Sequence, residues 1–140
     1  MRKFRQRIKG IAAVAAAFAC AFFAYALTRS PVFAGNEYEF SLGSSSSARI
    51  VRTDAPALFK LFTDAAGESA RFAGDVHEAL FAQLRAQVLF TEEACGVTAY
   101  YCYSPLLGEG VLLGGRRVNL QVAVGNGRTA AGTPLIFGGF

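Results

Sequence analysis

Residues 11–27 run for seventeen positions without a charged side chain, rich in Ala and Phe, and Arg2, Lys3, Arg5, Arg7 and Lys9 stand directly before them. A basic segment followed by an apolar run is the pattern read by the secretion machinery. A membrane-spanning helix takes about 17–25 apolar residues, so this run suffices at the short end. A helix destined for a soluble core would keep a polar face, and no such face is written here. We therefore expect residues 1–34 to be a signal peptide or an N-terminal membrane anchor. The basic flank would stay in the cytoplasm while the chain from Gly35 onward works on the far side. That places the protein at the cell membrane as a single-pass protein, or outside the cell as a secreted one.

Two small-residue sites suit a processing enzyme. Ala24-Tyr25-Ala26 lies inside the apolar run, and Val32-Phe33-Ala34 follows the polar break at Thr28-Arg29-Ser30-Pro31. The second is several residues past the run, which tilts the reading toward retention. Cys20 does not read as a lipidation site, because Phe18 stands where a small residue is wanted. It serves instead as a small apolar side chain.

Subtracting the leader changes the charge of what remains. The whole chain carries 14 basic and 10 acidic residues, whereas residues 35–140 hold eight basic against ten acidic, a net −2. The high isoelectric point thus belongs to the targeting segment, and the basic patch of a nucleic-acid-binding surface is missing. These 106 residues suit one domain. Their cysteines, Cys95 and Cys102, form a pair in a compartment that permits disulfides. If they flank one hairpin corner, their Cα atoms fall within the roughly 4.4–6.8 Å that a bridge requires. We expect a Cys95–Cys102 disulfide worth about 2–3 kcal/mol, with two reduced thiols as the alternative.

Along residues 35–140 the periodicity alternates between strand and helix. Tyr38, Phe40 and Leu42 alternate with Glu37, Glu39 and Ser41, the period of a half-buried strand. The serines at 44–47 suggest a turn, and residues 49–52 a second strand. Thr53-Asp54 with Pro56 predicts a helix through about residue 66, closed by Gly67. A third strand is expected over 69–72. Asp75 and Glu78 have the spacing of a capping box for a helix over 76–86, with Val76, Leu80, Leu84 and Val88 on one stripe. Residues 88–91, 97–103, 111–113 and 117–124 read as strands. Gly125-Asn126-Gly127 then makes a tight turn into a return strand over 128–131 and 134–137. The pattern predicts an α+β domain in which about two helices cover one face of an antiparallel sheet, after an N-terminal hydrophobic helix.

Chemistry-bearing motifs are sparse. His77 is the single histidine, so a thiol–imidazole pair with Cys95 or Cys102 would have to use it; a surface histidine is the commoner outcome. Glu92 and Glu93 stand beside Cys95, but neighbouring residues of a strand point to opposite faces, so they do not form a convergent acid–base pair. An envelope hydrolase using Glu92 or Glu93, or a thiol enzyme using Cys95, is the alternative to a binding module. Two cysteines and one distant histidine fall short of a structural zinc set. The glycines at 108, 110, 114 and 115 match no nucleotide-binding fingerprint, so no metal or cofactor is implied. Tyr101 and Tyr103 share one face of their strand, and Asn119 and Gln121 share the polar face of theirs; together they form a candidate recognition surface. Packing beneath the helices or over a sheet edge is the competing reading for the same tyrosines.

The stretch Val118-Asn119-Leu120-Gln121-Val122-Ala123-Val124, followed by Gly132-Thr133-Pro134-Leu135-Ile136, resembles the C-terminal part of YwmB-like proteins, exported proteins of spore-forming Gram-positive bacteria. Glu92-Glu93-Ala94-Cys95-Gly96-Val97-Thr98 and the closing Gly-Thr-Pro-Leu-Ile-Phe-Gly-Gly-Phe are similar to short exported clostridial proteins. The resemblance implies a fold like that of the TATA-box-binding protein, but no catalytic residues, and fold does not carry function. DNA binding is not expected of an exported domain with net charge −2. The expectation is a non-catalytic module that binds a protein or cell-wall component at the envelope, or a scaffold in sporulation or wall assembly.

Overall fold

A computed structural model describes residues 1–43 and 49–136. The chain divides into two compact units, Met1–Ser30 and Pro31–Phe140.

The first unit is one helix, α1 (Arg2–Thr28). Over Lys3–Thr28 it is long and apolar enough to cross a membrane or to serve as a signal sequence. Its end is closed by its own side chains: Thr28 Oγ1 donates to the Tyr25 carbonyl and Ser30 Oγ to that of Leu27. These bonds satisfy carbonyls that the last turn leaves without a helical partner.

The second unit is α+β. In chain order it contains β1 (Asn36–Ser41), β2 (Ile50–Thr53), α2 (Pro56–Phe62), β3 (Gly67–Ala73), α3 (His77–Leu84), β4 (Gln87–Ala94) and β5 (Val97–Tyr103). Then follow β6 (Val111–Leu113), β7 (Arg116–Val118), β8 (Leu120–Gly125) and β9 (Arg128–Thr133). Among the described residues seven strands form one antiparallel sheet in the order β2-β1-β3-β9-β8-β5-β4, with β6 and β7 as a separate hairpin. The Gly125-Asn126-Gly127 turn joins β8 to β9, with Asn126 and Gly127 at positive φ as a two-residue hairpin of this type requires.

Cross-strand register sorts the side chains onto two faces. One face carries Phe40, Glu68, Ala70, Thr129, Ala131, Leu120, Val122, Tyr100 and Cys102. Both short helices pack there. Phe59 of α2 stacks on Phe40 at 4.8 Å between centroids. Leu80 and Leu84 of α3 join the core with Phe33, Ala70, Cys102, Leu120, Val122 and Ala131. Burying each such leucine or phenylalanine contributes about 1.5–3 kcal/mol, which anchors helices too short to be stable alone.

The other face is floored by small residues. Ser69, Gly132, Ala130, Ala123 and Ala99 follow one another across β3, β9, β8 and β5. Past Thr133 the chain comes back over this floor rather than continuing the return strand: Ile136 N–H donates to Gln121 Oε1 at 2.9 Å. A Cβ on Gly132 would lie 2.5 Å from the Leu135 carbonyl oxygen, so only glycine allows this approach. The strand expected over 134–137 is therefore not formed at 134–136, and Phe137 lies outside the described residues, as does the serine turn at 44–47.

Other boundaries differ for local reasons. The first predicted helix ends at Phe62, not near residue 66, because Gly67 is the first residue of β3, buried between β1 and β9. Asp75 does not cap through a capping box: the N-cap is Val76 and no side chain caps it. Asp75 Oδ1 accepts His77 N–H at 3.2 Å and contacts His77 Nδ1, an Asx-type turn. The strand expected over 117–124 is divided at Asn119 into β7, paired with β6, and β8, in the main sheet.

Candidate functional site

Tyr101, Tyr103 and Gln121 all lie on the small-residue face. Tyr101 pairs across β5–β8 with Gln121 and across β4–β5 with Phe90. The Phe90 and Tyr101 rings stack at 4.5 Å with 14° between planes, the cross-strand aromatic pairing that stabilises a sheet by about 0.2–1 kcal/mol. Tyr101 Oη donates to Glu92 Oε2 at 3.1 Å. Partial burial first, and the Glu92 carboxylate second, push the Tyr101 phenol above its ordinary value, so it remains a protonated donor at physiological pH. Tyr103 is 37 % exposed and faces Gln87. This end of the sheet thus joins aromatic faces to a carboxylate and an amide, a mixture suited to recognition surfaces.

Asn119 does not belong to that surface. It is fully buried and uses its whole amide as a clamp. Oδ1 accepts Ser104 N–H at 2.7 Å, and Nδ2 donates to the carbonyls of Ser104 and Gly108 at 2.7 and 2.8 Å. The Ser104 hydroxyl donates in turn to the Leu84 carbonyl at the end of α3. An alternating strand pattern placed Asn119 on a polar face; the divided strand turns it inward instead, where an amide persists only if its groups are paired.

Cys95 and Cys102 are not bridged. Cys95 is exposed in the β4–β5 turn at positive φ, while Cys102 is buried opposite Val88. Val97 already pairs with Ala94, so Cys102 lies five residues further along the ladder, about 17 Å at strand rise. That exceeds the reach of a disulfide. The expectation failed because the turn is two residues long, with only Cys95 at its corner. Burial pushes the Cys102 thiol up to about 12, which removes thiolate character at neutral pH.

His77 is drawn into a ring cluster. It stacks on Tyr100 at 5.0 Å and 11°, and meets the edge of Phe81 at 5.5 Å. Asp75 is held below the usual carboxylate range by its hydrogen bonds from His77. Tyr100 pairs with Thr91, four residues and about 14 Å of strand from Cys95, so imidazole and exposed thiol do not meet. Glu92 and Glu93 are both exposed and pair with Ala99 and Thr98, neighbours on opposite faces. Among the described residues no three His, Cys, Asp or Glu side chains gather to hold a metal.

The residue that sequence reasoning missed is Phe90. Its role depends on a register shift between Val88 and Phe90, which sets Phe90 rather than Leu89 beside Tyr101. The Leu89 carbonyl at this irregularity accepts Arg116 Nη1. No family model, no curated protein and no solved structure matches this chain.

Proposed function

We propose that this chain is a membrane-anchored, non-catalytic binding module of the cell envelope, engaging a protein or wall component through the aromatic end of its small-residue face. The observation that carries the reading is the Phe90–Tyr101 stack, flanked by Glu92, Tyr103 and Gln121 on one partly exposed sheet end. Rigid aromatic rings offer large contact area at little entropic cost, and the carboxylate and amide beside them give direction to a partner's polar groups. The YwmB-like resemblance agrees with an exported role and adds no residue roles.

Packing supports keeping residues 32–34 with the domain, against cleavage after Ala34. Phe33 is 3 % exposed, sits edge-on to Phe72 at 6.5 Å, and accepts the Tyr38 hydroxyl at its carbonyl. Val32 N–H donates to buried Glu68. Cleavage after Ala34 would strip a core phenylalanine from the domain, a loss of about 3–5 kcal/mol. The intact mass of the native protein tests this: a chain beginning at Gly35, or at Leu27 after the Ala24-Tyr25-Ala26 site, would overturn the anchor.

The binding reading is tested by a photo-cross-linking residue at position 103 in living cells. Specific adducts are expected, and they should vanish in a Phe90→Ala/Tyr101→Ala background that, though less stable, still unfolds in one cooperative transition above the assay temperature. Adducts that persist in that background, or none at all, would sink the aromatic surface as the binding site.

A further inference from the structure

At one end of the domain, large apolar side chains stand in solvent. Among the described residues of the second unit, the four most exposed are Phe62, Leu112, Leu58 and Leu106, from 78 % down to 56 %. A single exposed leucine on a domain is ordinary, whereas a gathered set marks an interaction surface. Leu58 and Phe62 stand one turn apart on α2, so they share a face of that helix. The end of α2, the loop after β5 and the start of β6 enclose a cleft of about 460 Å³, lined among others by Lys60, Ala66, Leu106 and Val111. Leu106 belongs to its wall, and Leu112 follows Val111 on β6. All four side chains thus lie on elements that meet around one cleft.

Chain connectivity brings a lipid surface to these elements. Val32 lines the same cleft, and its N–H donates to Glu68, whose other carboxylate oxygen accepts Lys60 Nζ of α2. A buried carboxylate therefore fixes Val32 against α2. The apolar run ends at Leu27 and the polar Thr28-Arg29-Ser30 follows, which sets Thr28 at the lipid–water boundary when α1 spans a bilayer. The four residues from there to Val32 reach at most about 14 Å.

We propose that the cleft end of this domain rests on the bilayer that holds α1, with Leu58, Phe62, Leu106 and Leu112 seated among the lipid head groups. The proposal rests on the membrane-anchored reading and adds to it the domain's own contact with lipid. Apolar side chains enter this boundary layer as the apolar face of an interfacial helix does. Lys60 is already paired with Glu68, and Glu109 stands exposed beside the cleft. The attraction therefore comes from apolar area rather than from charge, and zwitterionic phosphatidylcholine suffices as the partner.

The sequence contains no tryptophan, so a single substitution creates the only indole in the chain. Full-length chains carrying Phe62→Trp, Leu112→Trp, Glu93→Trp or Phe22→Trp are reconstituted in phosphatidylcholine vesicles, with and without bromine on the acyl chains as a contact quencher. Glu93 is exposed near the β4–β5 turn, at the opposite end of the ladders from the Glu68–Thr133 pair beside the cleft. Brominated lipid is expected to lower the emission of Phe62→Trp and Leu112→Trp about two-fold or more and to leave Glu93→Trp unchanged. Phe22→Trp reports on α1 alone. Quenching there without quenching at both 62 and 112, or equal quenching at 93, would overturn the lipid contact and leave the anchor standing. An unquenched Phe22→Trp would remove the anchor, and the contact with it. Blue-shifted but unquenched emission at position 62 would place a protein on this surface, a second copy included, and would also overturn the proposal.

Discussion

The two faces of this sheet solve different packing problems with the same strands. On the helix-bearing face the space up to α2 and α3 must be filled, and Phe40, Leu120, Val122 and Cys102 fill it, each essentially without exposed surface. On the opposite face the chain's own backbone at Leu135 and Ile136 comes down so closely that position 132 tolerates only glycine, in a floor it shares with Ala130, Ala123 and Ser69. Side-chain size reports what lies above a sheet: large residues where a helix stands off, small ones where backbone comes down. The aromatic row at β4 and β5 breaks this rule. Phe90, Tyr101 and Tyr103 are large, lie beyond the small floor, and remain partly exposed, which is why they read as surface for a partner.

The contrast is broken or sharpened first by truncating one aromatic on each face. Phe40→Ala is expected to cost about 3–5 kcal/mol in urea unfolding, because a stacked core ring leaves a cavity beneath α2. Tyr101→Ala should cost about 1 kcal/mol, the worth of an exposed aromatic pair. Equal losses would mean that the aromatic row is core rather than surface.

Next is Asn119→Ala, which leaves Ser104 N–H and two carbonyls without their partner. At about 1–3 kcal/mol for each buried group left unpaired, a loss of roughly 3 kcal/mol in thermal or urea unfolding is expected. A change below about 1 kcal/mol would return Asn119 to the surface on which its sequence pattern places it. Gly132→Ala should cost about 1–3 kcal/mol by overpacking. The Ile136 amide should then lose its protection from hydrogen exchange, since the added methyl displaces the Leu135 carbonyl.

The smallest effect concerns the buried thiol and is read from pH. Cys102 keeps its proton in the folded state up to about 12, whereas an unfolded thiol loses it near about 8.5. The folded state thus binds more protons above that lower value, and stability falls as pH rises from there. Between about pH 8.5 and 9.5 the loss is at most about 1 kcal/mol, and Cys102→Ala should abolish it. Asp75 acts at the other end with the opposite sign: its lowered folded value stabilises above the unfolded pKa, and that contribution disappears as pH falls below about 4.

Much of the fold is legible in local patterns. β5 and β6 begin and end where the alternation places them, and the Gly125-Asn126-Gly127 hairpin forms as its turn residues dictate. These features depend on neighbours within a few positions. The site was legible only in part. Tyr101 and Tyr103 share a face as their spacing implies, but Gln121 joins them through the β5–β8 register and Phe90 through a register shift that depends on the partner strand. Asn119 left the surface because the strand divides there, and the Cys95–Cys102 bridge failed because Cys95 stands in the turn while Cys102 lies far along β5, opposite Val88.

By itself the sequence determined the apolar N-terminal helix, the α+β class and the alternation of strands, since hydrophobic periodicity and charge are local quantities that any packing must respect. The tertiary structure alone decided which residues meet across strands. It brought Glu68 and Lys60 together beside a cleft, sent Leu135 and Ile136 over the small-residue floor, and buried Phe33 within the domain rather than the leader. Such pairings are set by register and by the close packing of distant segments, which no local pattern encodes.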